Sequence, residues 1–341
     1  MSDIARRARV SKNTVSLALR HDPQIPPVTR QRIQKIAERL GYRKNPVVAH
    51  LMAQLRVDSS PRFQSTLGLL NANLDARAFT RHPTVPVSVE GCRRRAAELG
   101  YQLDEFWLHD PHLDGPRLNR ILRTRNIRGV IVVGLMDGRR LPERFAPTWE
   151  LFPSVVTGVS TRAPSLSFAS VDHHLLALRA VESALALGYR RPGLALDTRI
   201  DDLVDGRFSS GFIIAQREVP ASRRVNPFYF DPHAPGSPAH FQAWLRREKP
   251  DVILTLYTIV RQWIEDAGLK VPGDIALIQM ERRRDRTDWA GMDQHSDVIG
   301  AAAVDMVIAM IHDNQSGIPL FPRATLIGST WRDGSSCPPC G

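Results

Sequence analysis

The sequence predicts an N-terminal all-α domain followed by a two-lobed α/β core with parallel sheets. The N-terminal residues carry apolar side chains at the i, i+3, i+4 spacing of short helices. From Ser65 the pattern changes to short apolar runs that alternate with helical stretches, the order of parallel sheets covered by helices on both faces. A chain of 341 residues has room for two or three domains. We expect four segments: a helix-turn-helix domain at 1–44, a hinge helix and linker at 45–64, the core at 65–330 and a C-terminal tail at 331–341.

The stretch 11–20 organises the first segment. Ser11 can cap a helix there, because its hydroxyl can accept a hydrogen bond from an amide of the first turn. The helix has a narrow apolar stripe made of Val15, Ala18 and Leu19. The side chains expected to point away from the stripe are those of Lys12, Asn13, Ser16 and Leu17. Short polar and cationic side chains at the start of a helix suit base edges and phosphates in a major groove, so with helices predicted at 3–9 and 27–40 the pattern indicates a helix-turn-helix.

Positive charge is concentrated in the same part of the chain. Residues 1–60 hold twelve Lys and Arg against four Asp and Glu, a net charge of +8, whereas the other 281 residues supply only +3 of the total of +11. Neutralising DNA phosphates requires such an excess. The alternative is a basic three-helix bundle without a nucleic-acid partner. A generally basic composition fits less well, because it would spread the positive charge evenly along the chain.

A series of short motifs then runs through residues 3–51. They are Asp3-Ile4-Ala5, Ala8-Arg9-Val10-Ser11, Thr14-Val15-Ser16-Leu17-Ala18-Leu19, Glu38-Arg39-Leu40-Gly41-Tyr42, Asn45 and Leu51. This order resembles the LacI/GalR family of bacterial transcription repressors. The resemblance implies a homodimeric repressor or activator that binds a near-palindromic operator in double-stranded DNA and responds to a small-molecule effector. The residues to which it assigns DNA contacts are Ser11, Lys12, Asn13, Thr14, Ser16, Leu17, Arg20, Asn45, Val48 and Leu51.

The resemblance gives some of these residues specific roles. Lys12 suits guanine and Asn13 suits adenine, whereas Leu17 stands where the family usually has arginine and offers only apolar contact. Residues 46–53 are expected to form a hinge helix when two copies pair on the operator, with Leu51 as the apolar wedge in the minor groove.

Two positions depart from the family pattern. Arg9 stands where the turn usually has glycine, so we expect a positive φ at an arginine. The family also carries a threonine before Asp3; either Ser2 caps the first helix here, or the natural chain begins upstream.

Two α/β units are expected in the core. Strands are predicted at 66–70, 101–107, 129–133, 153–157 and 167–171, and then at 193–197, 226–231, 251–255 and 274–279. Helices are predicted at 86–99, 115–126, 173–187, 208–217, 238–248, 259–267 and 297–313. Two such units look like the periplasmic-binding-protein type of sensor core that the family carries after its hinge.

Ligands in such folds bind between the lobes, outside the carboxyl ends of the strands. The candidate effector-binding residues near strand ends are Asn71, Asp75, Phe79, Asp172, Arg207, Tyr257, Glu281 and Gln294. Carboxylates and amides pair with the hydroxyls of a sugar or sugar derivative, and an aromatic face covers its apolar side. Any one of them could instead be a solvated loop residue. Arg207 is one position off the family pattern, and Tyr257 replaces part of its Asn-Asp pair. A core that responds to a partner protein, or to nothing, therefore remains the alternative.

Other function classes lack their motifs. The sequence has no Gly-rich nucleotide loop after the first strand and no Gly-x-Ser-x-Gly elbow, so we expect neither an enzyme nor a cofactor. Cys337 and Cys340 lack a second pair of ligands, and His173 and His174 beside Asp172 lack further ones, so no metal site is expected. With no signal peptide and no membrane-spanning apolar run, we expect a cytoplasmic protein without a membrane partner. The tail has no leucine heptad, which accompanies tetramers in the family, so a dimer is expected.

Overall fold

The computed structural model describes residues 2–19, 24–40 and 65–340. It contains a three-helix unit and two lobes built on mainly parallel sheets, which is the fold class that the sequence predicts. The expected hinge and linker at 45–64 lie outside the described residues. So do four of the predicted DNA-contacting residues, Arg20, Asn45, Val48 and Leu51.

Three short helices, α1 (Ser2–Ala8), α2 (Lys12–Leu19) and α3 (Pro27–Arg39), pack around a small apolar core. Its buried side chains are those of Ile4, Ala5, Ala8, Val15, Ala18, Ile25, Ile33 and Ala37. The core includes Val15 and Ala18 of the predicted stripe.

Details of the turn also agree with the sequence. Ser11 caps α2, because its Oγ accepts a hydrogen bond from the Thr14 amide at 3.0 Å. Arg9 has a φ of 52°, the left-handed conformation expected at that position. Leu17 differs from the prediction: it is half-buried and packs against the helical core rather than pointing away from it. A short helix between two others is covered over a wider face than its narrow apolar stripe suggests.

The core elements follow in chain order. They are β1 (Ser65–Asn71), α4 (Ala78–Arg81), α5 (Val85–Glu98), β2 (Tyr101–Trp107), α6 (Gly115–Thr124), β3 (Ile127–Val133), α7 (Ala146–Trp149), β4 (Ser154–Thr157), β5 (Ser167–Val171), α8 (His173–Ala186), β6 (Pro192–Asp197), α9 (Thr198–Leu203), α10 (Arg207–Ala215), β7 (Phe228–Phe230), α11 (Ser237–Glu248), β8 (Val252–Thr255), α12 (Ile259–Asp266), β9 (Ala276–Gln279), β10 (Ala290–Asp293), α13 (Ser296–His312), β11 (Ala324–Ile327) and β12 (Thr330–Arg332).

Each lobe is built on a six-stranded sheet. The first sheet has the order β11-β5-β4-β3-β1-β2 and is parallel throughout. The second has the order β12-β10-β9-β8-β6-β7, and only the edge pair β10–β12 is antiparallel. The central strands of both sheets are buried on both faces, which explains why they read as continuous apolar runs.

The chain crosses between the lobes three times. Helix α8 follows β5 of the first sheet but packs against strands of the second, and α13 follows β10 of the second sheet but packs against the first. The third crossing joins β11 to β12. The crossings involve two neighbouring strands at one side of each sheet, β5 and β11 in the first and β10 and β12 in the second. The lobes are therefore joined along that side.

Strands β10, β11 and β12 are absent from the sequence prediction. Each has at most four residues, and the two at sheet edges are largely exposed, so they lack both an apolar run and a clean alternation.

The segment that we separated as a tail packs into the second lobe. Ser336 Oγ donates a hydrogen bond to the Leu277 carbonyl at 2.7 Å and accepts one from the Ala290 amide at 2.9 Å, and Cys337 is buried. Residues 331–340 are therefore part of the core rather than an appendage. Their Gly, Ser and Pro composition hides this, because they are held through backbone groups of β9 and β10.

Candidate functional site

A cavity of about 430 Å³ lies between the two lobes. The first lobe contributes residues that follow β3, β4 and β5 and those at the start of α5. The second lobe contributes α9, the start of α10 and residues that follow β8, β9 and β10. The cavity is therefore at the carboxyl ends of both sets of strands, where parallel α/β folds bind ligands and where the sequence places the effector.

Polar and apolar lining residues are concentrated on different parts of the cavity wall. The polar group belongs to the ends of β9 and β10 and to the α5 region; it consists of His82, Ser88, Gln279, Glu281, Arg283 and Gln294. The apolar group is concentrated on α9 and α10 and includes two residues near the ends of β4 and β5; it consists of Val159, Val171, Ile200, Leu203, Val204 and Phe208. Thr157, Ser170 and His173 are polar lining residues beside Val159 and Val171. A ligand that fits both has hydrogen-bonding groups along one edge and an apolar body.

Several polar atoms of the lining have no partner within the described part of the chain. Gln279 is 2% exposed, and its Oε1 accepts no hydrogen bond; the Oγ of buried Ser88 is also unpaired. Unpaired buried acceptors are rare in folded proteins. A hydroxyl or N–H group of a bound molecule would satisfy both side chains.

Glu281 is the carboxyl group of this cavity. Burial raises its pKa to about 7, and the nearby Arg283 guanidinium opposes this only in part. The side chain makes no hydrogen bond to any described residue. At neutral pH, Glu281 can therefore either accept hydrogen bonds from a ligand or donate one.

Two imidazoles in the lining are neutral at physiological pH. Burial, together with the charge of Arg207, lowers the pKa of His173 to about 3, and its ring meets the edge of Phe208 at 4.7 Å. Burial also lowers the pKa of His82. His82 Nδ1 accepts from the Thr84 amide at 3.3 Å, so the neutral ring carries its proton on Nε2.

Three of the eight predicted effector residues line the cavity: Tyr257, Glu281 and Gln294. The Tyr257 hydroxyl donates to Asp197 Oδ2 at 2.8 Å, an interaction that fixes the ring, and burial raises its pKa. Gln294 Nε2 donates to the Met280 carbonyl at 3.0 Å, which leaves its oxygen for a ligand.

The other five do not line the cavity, and the prediction is corrected for them. Asn71 binds loop carbonyls at 3.0 and 3.2 Å, and Asp75 accepts from a loop amide at 2.9 Å. Phe79 is buried in the first lobe, and Asp172 caps α8. Arg207 lies beside His173 but outside the cavity lining. Short polar residues after a strand first satisfy the backbone of their own turn, which is why strand-end position alone misleads.

Sequence reasoning missed the residues with the clearest unpaired atoms, Gln279 and Ser88. Gln279 carried a usable signal, because it is a polar residue that ends an apolar strand. The sequence held no such signal for Ser88, because a serine within a helix does not indicate a binding site until its neighbours in space are known.

The candidate nucleic-acid interface is α2. Ser11 and Thr14 lie at its start, and their hydroxyls are 2.8 Å apart. The backbones of Lys12, Asn13 and Ser16 lie on the same helix, whereas their side chains lie outside the described part.

Comparison with known proteins supports this assignment. Residues 1–45 match the model of the family described as bacterial regulatory proteins, lacI family. Residues 1–45 therefore carry a DNA-binding domain of the lacI type. The family match covers the helix-turn-helix, and similarity to whole regulators extends over the core.

Relatives of the chain are named as regulators rather than enzymes. The transcriptional regulator MalR of Streptococcus pneumoniae is 21% identical over 320 residues, which cover 93% of this chain and 94% of that protein. Catabolite control protein A of Staphylococcus epidermidis is 21% identical over 327 residues, 92% of each chain. With its lacI-type helix-turn-helix, the chain is a DNA-binding transcriptional regulator.

Solved structures show the same fold. A complex of the transcriptional regulator CelR with cellobiose matches with a TM-score of 0.59 at 18% identity and covers 98% of both chains. A lac repressor dimer bound to operator and the anti-inducer ONPF matches with a TM-score of 0.56 at 17% identity, again over 98% of both chains. In the described residues of our chain, no helix is long and apolar enough to cross a membrane, and no cluster of three metal-ligating side chains occurs.

Proposed function

We propose that this regulator binds a near-palindromic operator as a homodimer and that a small effector in the cavity controls its operator affinity. The observation that carries the proposal is the cavity between the lobes, with unpaired acceptors on Gln279 and Ser88. A cavity between two lobes with unpaired polar atoms in its lining has the form of a binding site for a small molecule. The alternative of a partner-sensing or inert core is therefore less well supported.

The effector that we propose is a sugar or sugar derivative. The similar regulator CelR supports this class, because its structure is a complex with the sugar cellobiose. The lining adds a restriction. A free sugar carries hydroxyls around its whole ring, whereas the side of the cavity formed by α9, the residue that follows it and the start of α10 is apolar. Each hydroxyl left unpaired there would cost about 1–3 kcal/mol, so a derivative with an apolar substituent fits better.

The effector proposal is tested by calorimetry with cellobiose, maltose and their nitrophenyl glycosides. We expect binding by a glycoside, with affinity reduced about tenfold in Gln279→Leu, because one hydrogen bond to the ligand is lost. The matched control is Gln262→Leu on the exposed face of α12, which should bind like the wild type. If none of these compounds binds, the sugar class is wrong and the alternative of a partner-sensing core gains support.

DNA recognition is tested by selecting binding sites from random duplexes. Lys12→Ala and Asn13→Ala should each lose roughly 1–3 kcal/mol of base discrimination, because each removes a reader of a base edge. Lys35→Ala, at an exposed position of α3, is the control and should keep the preferred sequence. An unchanged preference in either α2 variant would show that the residue does not read bases. We further propose that operator binding represses transcription, which a promoter-reporter assay measures.

A further inference from the structure

An arginine of the first lobe is joined to an aspartate of the second by a bidentate ion pair. Both Nη atoms of Arg139 bond the Asp205 carboxylate, Nη1 to Oδ1 and Nη2 to Oδ2, the latter at 2.7 Å. Arg162, also of the first lobe, binds the same carboxylate at 2.9 Å. Two parallel N–H···O bonds fix both distance and orientation, unlike a single contact between flexible side chains.

Both partners are held in place by their own lobes. Arg139 Nε donates to the Ser160 carbonyl at 3.1 Å, Nη2 bonds Ser160 Oγ, and the Arg139 side chain is only 12% exposed. Asp205 stands in the turn between α9 and α10 with a φ of 57°, so its carboxylate is presented by a fixed backbone. The hydrogen bond from Arg139 lowers the pKa of Asp205, which keeps the carboxylate ionised. A preorganised pair loses less side-chain entropy on forming than an ordinary surface pair.

The position of the pair relates it to the cavity. Val159 and Val204, which line the cavity, directly precede Ser160 and Asp205. The pair therefore lies at the rim. The pair also lies close to a crossing, because Ser160, Val204 and Arg207 border the same small cavity as Val171 and His173, which stand on either side of the β5–α8 crossing. A second ion pair, Arg284–Asp297 at 3.6 Å, lies beside the β10–α13 crossing.

We propose that the Arg139–Asp205 pair is a latch that holds the two lobes closed over the cavity. Opening the cavity at this rim moves Val159 and Val204 apart, so it has to break the ion pair beside them. The latch sets the fraction of closed molecules and thereby the access of ligands to the cavity. The proposal depends on the two-lobed geometry rather than on the effector's identity, so its failure would leave the proposed function intact.

Amide hydrogen exchange of the ligand-free full chain tests the latch. The variants are Arg139→Gln, Asp205→Asn and the double variant. Opening exposes both walls, so exchange should rise in segments that do not touch the pair, namely 256–258 and 279–283. We expect a rise of roughly two- to fivefold, the range for a partly exposed ion pair. The double variant should exchange no faster than either single variant, because one interaction is lost in all three.

The matched control is Arg125→Gln, whose partner Asp104 at 2.8 Å belongs to the same lobe. It should leave exchange in the cavity walls unchanged. A rise confined to the loops 134–142 and 158–166 would mean that Arg139 only orders its own lobe through Ser160, and would overturn the latch. So would unchanged exchange in Asp205→Asn, because that variant leaves the Arg139–Ser160 bonds in place.

Discussion

At the scale of single residues, the cavity combines an ionisable acceptor with a buried amide. Gln279 ends β9 and Glu281 lies in the turn two positions further on, and both side chains line the cavity. Glu281 lacks a partner among the described residues and has a pKa of about 7 because of burial. This residue links protonation to the state of the cavity.

We predict that Glu281→Gln stabilises the ligand-free protein, and increasingly so as the pH rises. The folded-state pKa is raised from 4.5 to about 7, so the folded chain keeps a proton that the unfolded chain releases between these values. The free energy of unfolding of the wild type therefore falls as the pH rises through that range. That of the Glu281→Gln variant does not fall for this reason, because glutamine does not titrate. The difference should be small near pH 5 and reach on the order of 2 kcal/mol by pH 8.

Chemical denaturation at the two pH values measures this difference. Glu90→Gln, at an exposed position of α5, is the control and should remain close to the wild type at both. A stability difference between Glu281→Gln and the wild type that does not change with pH would contradict the raised pKa.

At the scale of elements, helices α5 and α13 approach so closely that their contact depends on two glycines. A Cβ added at Gly300 would lie 2.1 Å from the Ser88 carbonyl oxygen, and one at Gly91 would lie 1.9 Å from the Asp297 carbonyl oxygen. Both are backbone atoms that cannot rotate away. The same helices carry Ser88 and Ile299 of the cavity lining, so their separation sets the shape of the site.

We predict that Gly300→Ala destabilises the core by about 1–3 kcal/mol, because the added methyl must push the helices apart. The control is Gly273→Ala, where the new Cβ would meet Lys270 Cβ at an ordinary 3.5 Å. Thermal unfolding of both variants gives the comparison. Equal stability of Gly300→Ala and the wild type would show that the helix contact adapts without strain.

At the scale of the whole molecule, ligand and operator must affect each other's binding equally if they share one conformational equilibrium. Reciprocity follows from thermodynamic linkage and does not depend on the pathway. Leu51, outside the described residues, is the position at which we expect a wedge between bases.

We predict that Leu51→Ala weakens operator binding and reduces DNA bending, while effector affinity in the absence of DNA stays unchanged. The wedge contacts only DNA in this hypothesis, so its loss leaves the cavity intact. Operator affinity by fluorescence anisotropy and bending by gel mobility measure the first two effects, and calorimetry measures the third. Operator binding of Leu51→Ala at wild-type strength would contradict the role of this residue.

The sequence alone determined the helix-turn-helix, the alternation of strands and helices and the family resemblance. Each is encoded locally: Ser11 caps the helix that it precedes, and the stripe of Val15 and Ala18 is buried as its spacing requires. The buried central strands were also predictable, because residues covered on both faces must be apolar. The charge excess in residues 1–60 likewise needs no coordinates.

Tertiary structure alone decided which polar residues form the cavity and how the lobes are joined. Asn71 and Asp172 satisfy their own turns, whereas Gln279 and Ser88 line one cavity from elements that are distant in sequence. Tertiary packing also decides that residues 331–340 lie against β9 and β10 and that Arg139 pairs with Asp205. The spacing of apolar residues shows which face of a helix or strand is buried. It does not show that Arg139 pairs with Asp205, 66 positions away, because that contact depends on how the elements pack.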